Sequence, residues 1–132
     1  MIEELGTQPV LDIVESFGGW PVIKGDSWDE SNWTWTKSVE VSRQFGYSPD
    51  HIFKFSVEID PKNTTKRIIT IDQADFEIPH ENLIKGMNDT IVQTYLSFIV
   101  DIAMLYGADK NRATKEMQES LDFMIALANV RS

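Results

Sequence analysis

Residues 89–130, DTIVQTYLSFIVDIAMLYGADKNRATKEMQESLDFMIALANV, carry the pattern that decides the fold. Ile91, Tyr95, Phe98, Ile102 and Leu105 recur at helical spacing, one of Asn88, Asp89 and Thr90 caps the start, and Gly107 follows the last residue, Tyr106. Val92, Ile99 and Met104 spread the apolar surface round the cylinder, which predicts a helix buried on most sides. After Ala108-Asp109 a second helix presents Ala113, Met117, Leu121, Met124 and Ala128, with Glu116, Glu119 and Asp122 on its wetter side. So short a turn makes the two helices antiparallel neighbours.

Upstream, residues 73–87 hold Pro79 and Gly86 among charged residues and read as a loop. Before them lies a β-hairpin. From His51 to Ile59 the chain alternates, placing Phe53, Phe55, Val57 and Ile59 on one face and Lys54, Ser56 and Glu58 on the other. Asp60-Pro61-Lys62-Asn63 supplies turn chemistry, and Arg67 to Asp72, with Ile68, Ile69 and Ile71, reads as the return strand. Near the N-terminus a short helix is capped by Thr7, takes Pro9 early, and packs Leu11, Val14 and Phe17 on one side. Gly18-Gly19 ends it and Pro21 blocks its continuation. A tryptophan-rich connector runs from Trp20 to Trp35, followed by a helix from about Thr34 to Gln44 with Val39 inward and Gly46 just beyond. The fold class is therefore mainly α with one β-hairpin. The packing set expected from these patterns is Phe53, Phe55, Val57, Ile91, Tyr95, Phe98, Leu121 and Ile125.

With 132 residues the chain suffices for one domain and one core. Four Trp, seven Phe and three Tyr provide the apolar area that disorder lacks. A net charge of -9 repels phosphate backbones, which argues against nucleic acid as a partner. There is no cysteine, so no disulfide framework marks the compartment. No apolar run is long enough to span a bilayer, and the acidic start Met1-Ile2-Glu3-Glu4 is not a signal peptide.

Candidate chemistry is sparse. His51 and His80 are the only histidines. His51, at a strand start, reads as solvated or capping. His80-Glu81-Asn82-Leu83-Ile84 imitates the opening of His-Glu-x-x-His, but that motif needs a second imidazole one helical turn on, where Ile84 stands. Asp60, Asp72 and Asp75 sit near the hairpin ends in no calcium-loop spacing and read as turn or capping residues. No catalytic residue and no metal ligand can be named. Trp20, Trp28, Trp33 and Trp35 could form a sugar-binding platform, though packing in a core or interface is the favoured reading. Three Asn-x-Thr sequons, at Asn32, Asn63 and Asn88, fall in a predicted loop, turn and helix start, where an acceptor is expected to be exposed; of the three candidate N-glycosylation acceptors, Asn63 in the turn ranks first.

Taken in order, these pieces resemble a known family. Gly18-Gly19-Trp20-Pro21 resembles a Gly-Gly-Trp-Pro signature near the N-terminal end of the ectodomain of neprilysin and endothelin-converting enzyme, and Trp28 and Trp35 follow at similar spacing. Val57 to Asn63, through Asp60 and Lys62, resembles that family's Val-x-x-Asp-x-Lys-Asn turn. Ile69-Thr70-Ile71-Asp72-Gln73 is similar to its Ile-x-Ile-Asp-Gln strand end, and Met117 to Asn129 to its segment ending in Ile-Ala-Asn. Where the family continues from Asp-Gln with Pro and then Gly-Leu-Pro-Ser-Arg-Asp-Tyr-Tyr, this chain has Ala74 to Asn82 and keeps only Pro79.

The resemblance implies that residues 1–132 are a single segment of a neprilysin-like ectodomain without its catalytic, zinc-binding part. It implies a zinc metalloendopeptidase parent that processes or degrades small peptides, secreted or anchored at the cell surface as a type II membrane protein. No cofactor is then expected in this chain, zinc belonging to the parent. The expected partners are the missing catalytic domain of the same polypeptide and the parent's peptide substrates, with self-association where an apolar face is left open. Two alternatives stay beside this reading: a catalytically dead peptide- or protein-binding module acting alone, and a stand-alone enzyme built on His80 and carboxylates.

Overall fold

The computed structural model describes residues 6–48, 50 and 52–130, with the backbone only at Asn32. The reading of His51 and that of the Met1–Glu4 start lie outside the described residues. Six α-helices and one two-stranded antiparallel sheet make up the described fold, the mainly α architecture with one β-hairpin expected from sequence.

Helix α1 spans Gln8–Ser16. Thr7 stands at its N-cap but makes no side-chain capping bond, contrary to expectation, because its backbone is already helical there. The C-terminal end is closed by the two glycines. The Gly18 N–H donates to Glu15 O and the Gly19 N–H to Val14 O, both at 3.0 Å. With φ of 101° and 82°, each occupies the left-handed region where a Cβ would be strained. Pro21 then begins a further helix, α2 (Pro21–Lys24), where its missing N–H costs nothing. The connector is thus more ordered than a loop, since 3-10 turns follow at Gly25–Ser27 and Glu30–Asn32. Helix α3 (Trp35–Gln44) starts at Thr34, whose Oγ1 accepts the Lys37 N–H at 3.2 Å.

Strands β1 (Phe53–Asp60) and β2 (Asn63–Gln73) pair in register, Phe55 opposite Ile71 and Val57 opposite Ile69. Paired residues share a face, so Phe53, Phe55, Val57, Ile59, Ile69 and Ile71 form one apolar surface. The register shifts after Ile59. Ile59 faces Arg67 and Asp60 faces Asn63, leaving residues 64–66 between two successive ladder pairs. Asp60 Oδ1 accepts the Lys62 N–H at 2.8 Å and fixes the turn.

The segment expected as a loop holds helix α4 (His80–Leu83) and a 3-10 turn at Gly86–Asn88. It also supplies core. Ala74, Ile78 and Leu83 are buried, because an apolar residue every four or five positions lets an irregular segment lie over the helical hairpin. Helix α5 (Thr90–Leu105) is capped by Asp89, which accepts the Ile91 N–H at 2.8 Å. Helix α6 runs Lys110–Val130. Between them Gly107 closes α5, with the Ala108 N–H donating to Ala103 O at 3.0 Å.

Two clusters of buried residues form the core. Ile78, Leu83, Val92, Leu121 and Ala128 make one, with Tyr95, Met124 and Ile125 against it. Val22, Ala103, Ala113 and Met117 make the other, and Leu96 packs against both. Small residues at 103 and 113 allow the antiparallel helices and α2 to approach closely. Burial of Leu83 or Leu121 contributes about 1.5–3 kcal/mol each.

Three of the eight residues of the expected packing set are core residues. Tyr95, Leu121 and Ile125 belong to the core, whereas Phe53, Phe55, Val57, Ile91 and Phe98 are exposed. Nor is α5 buried on most sides. Ile91, Phe98 and Leu105, seven residues apart, form an exposed stripe that no described element covers. Among the described residues, no helix is long and apolar enough to cross a membrane.

Candidate functional site

His80 is the first residue of α4 and is half-buried. Its Nε2 lies 2.9 Å from the Ala128 carbonyl oxygen. Ala128 is in the last turn of α6, where carbonyls have no intrahelical donor. A carbonyl only accepts, so Nε2 carries the proton and the imidazole closes the end of α6. Nε2 is thereby engaged, and Nδ1 is the one ring nitrogen left that could ligate a metal. Ile84 caps the other end of α4, so the helix spans one turn and has no second imidazole to offer. Among the described residues no three His, Asp or Glu side chains gather where they could hold an ion. A zinc centre does not fit the donor set of His80 and its neighbours.

The acidic residues are occupied in structure. Asp60 holds the turn, and Asp72 Oδ1 accepts the Gln73 N–H at 2.7 Å. Asp75 lies 3.5 Å from Lys54 Nζ in an exposed pair that spans the base of the hairpin. Asp89 is the most heavily engaged. Asn82 Nδ2 donates to it at 3.0 Å, which is the main reason its carboxyl titrates below the ordinary value; the Ile91 and Val92 N–H groups and Lys85 act the same way, against the opposing effect of burial. Tyr95 is shifted upward, first by burial and then by the charge of Glu77.

Of the tryptophans, Trp20 packs against the second core cluster. Trp20 and Trp28 are half-buried, Trp33 and Trp35 exposed. Trp20, Trp28 and Trp33 wall a cleft of about 600 Å³ between α1 and α3, together with Val14, Phe17 and Tyr47. Trp28 Nε1 donates to Gly18 O at 3.1 Å and meets Trp33 edge-on at 6.2 Å. Gly18, Gly19, Trp20 and Pro21 therefore act together: two glycines end α1, their backbone receives Trp28, and Trp20 leads into α2. A second, smaller cleft of about 240 Å³ lies between α3 and the hairpin base. There Arg43 stands 5.1 Å from the Phe55 ring centre and Trp35 is 6.2 Å from Phe53. Neither cleft could be read from spacing, because each is closed by residues distant in sequence.

Asp60, Lys62 and Asn63 meet at the hairpin tip, and Asp72 with Gln73 at its base, about 25 Å apart at strand rise. The sequence-derived sites thus do not converge. What the fold defines is a helical hairpin with an attached arm and an aromatic cleft, and no assembled set of acid, base and nucleophile among the described residues.

Comparison with known proteins gives the class. The N-terminal model of peptidase family M13 matches residues 1–132. Neprilysin-2 of Drosophila melanogaster is 45% identical over 131 residues, covering 98% of this chain and 17% of that protein. Neprilysin-21 of Caenorhabditis elegans is 30% identical over 132 residues, covering 97% of this chain and 17% of the relative. Human endothelin-converting enzyme 1 is 33% identical over 132 residues, covering 98% and 16%. This chain belongs to peptidase family M13, and it spans about a sixth of the length of the curated relatives it matches.

Proposed function

We propose that this chain is the non-catalytic N-terminal portion of a neprilysin-like zinc metalloendopeptidase that processes or degrades small peptides outside the cell or at its surface. In that role it is scaffold and wall of the substrate chamber, and its partner is the catalytic part of the same polypeptide. The observation that carries the reading is the family match along the whole chain. The uncovered apolar faces of the hairpin and of α5 support it, because a neighbouring domain would remove both from water. Zinc, bound elsewhere in the parent, would supply a polarised water for peptide hydrolysis.

The test is cleavage of a fluorogenic neprilysin-type peptide by the 132-residue chain with added zinc, with and without chelator. No turnover is expected. Chelator-sensitive turnover that disappears in His80→Ala would overturn the reading in favour of a stand-alone enzyme.

The aromatic cleft favours a second reading, a catalytically dead module that binds peptides or proteins by itself. Saturable binding of a neprilysin-type peptide to the isolated chain, lost in Trp28→Ala, would put this reading first.

A further inference from the structure

Asn63 and its Asn-x-Thr unit are displayed at the end of a projecting element. Asn63 is the first residue of β2, exposed, at the tip of an arm whose base is some eight residues away. Its Oδ1 accepts two bonds from Thr65, the hydroxyl at 2.7 Å and the N–H at 3.2 Å. The Thr65 side chain is thereby turned onto the carboxamide, and the amide Nδ2 is left toward solvent. The register shift lets residues 64–66 leave the ladder, so the threonine can fold back without breaking strand pairing.

The other two sequons lie beside contacts of their neighbours in sequence. Asn88 precedes Asp89, whose carboxylate caps α5, bonds Asn82 and pairs with Lys85 at 3.5 Å. Thr90 is the first residue of that helix. Asn32 precedes Trp33, which stands against Trp28 in the aromatic cleft. A glycan at Asn88 would stand next to the residue that caps α5. At the hairpin tip it crowds nothing.

We propose that Asn63 is an N-glycosylation site and that it is the principal one of the three. The donor is a lipid-pyrophosphate-linked oligosaccharide. Asn63 Nδ2 displaces the lipid pyrophosphate from sugar C1; the N–C bond forms as the C1–O bond breaks, and one Nδ2 proton is released. A bulky hydrophilic group at this tip also shields an arm that presents open strand edges and an apolar face, both templates for association.

The proposal rests on the extracellular reading, and the test separates the two. The full chain is expressed in eukaryotic cells behind a cleavable secretion leader, so the compartment is supplied whatever the natural one is. The secreted chain is expected to run as a form heavier by one glycan, collapsed by an amidase that removes N-linked sugar and leaves an aspartate at the attachment residue. Asn63→Gln and Thr65→Val should each abolish the heavier form. Thr65→Ser, which keeps both hydroxyl and sequon, should retain it and thereby exclude misfolding as the cause. Asn32→Gln and Asn88→Gln should leave it in place. Absence of any heavier form, or its persistence in Asn63→Gln, would overturn the assignment.

Discussion

The helical hairpin and the β-hairpin are both antiparallel pairs joined by a short turn, yet they relate to water in opposite ways. Helices α5 and α6 bury Val92, Ala103, Ala113 and Leu121 completely. In the arm, Val57, Ile59, Ile69 and Ile71 are 55%, 58%, 65% and 69% exposed. Both segments show regular apolar periodicity. Periodicity therefore reports which face seeks cover and not whether cover is present. Helices α5 and α6 find it in each other, in α2 and in the segment before α5. The arm meets the body at its base, where Phe53, Phe55 and Lys54 touch Trp35, Arg43 and Asp75. A two-stranded sheet with one bare apolar face is marginal alone and needs a third layer.

The comparison can be broken most directly at Leu121. Leu121→Ala removes a fully buried side chain from the larger cluster and should destabilise the chain by about 2–5 kcal/mol in urea denaturation. A loss within error would mean that α6 is not the centre of the core.

A smaller effect is expected from acid. The folded carboxyl of Asp89 titrates below its ordinary value of 3.8, so the unfolded chain binds that proton first as pH falls. Its stabilising contribution is present above the unfolded value and disappears as pH drops through the folded one, below 3.8. Denaturation midpoints of the wild type and Asp89→Ala should differ at pH 6 and converge toward pH 2. A difference that stays constant over this range would contradict the role given to the charge.

The smallest effect belongs to the arm. Ile69→Ala should change stability by less than about 0.5 kcal/mol, as for other exposed positions. Measured by the same denaturation, a loss approaching that of Leu121→Ala would show that the arm is covered in solution.

Fold class, the hairpin, the helical pair and a cap within residues 88–90 were legible in the sequence, because each is written in local periodicity or turn chemistry; the structure assigns that cap to Asp89. Three features were not. Ile78 and Leu83 lie in a segment without period, yet both are core residues, placed by long-range contact with α6. The stripe Ile91, Phe98 and Leu105 lengthened an apolar pattern that implied all-round burial, although burial depends on neighbours that periodicity does not supply. His80 was legible as an incomplete zinc motif, but its partner, Ala128 O, is 48 residues away. The sites at Gly18–Pro21 and Asp60–Asn63 were recognised as motifs, while their physical work emerged only from bonds across the turns they form.

Val22 bears on how the chain is made. It is buried against Ala103, Ala113 and Met117, and nearby Asp26 meets Arg112 at 2.6 Å across 86 residues. A ribosome delivers α1, α2 and the tryptophans long before it delivers α6. Until then the emerging N-terminal half has no core to join, and the loop that must close is most of the chain. The contacts of Val22 and Asp26 therefore form only after α6 has been delivered.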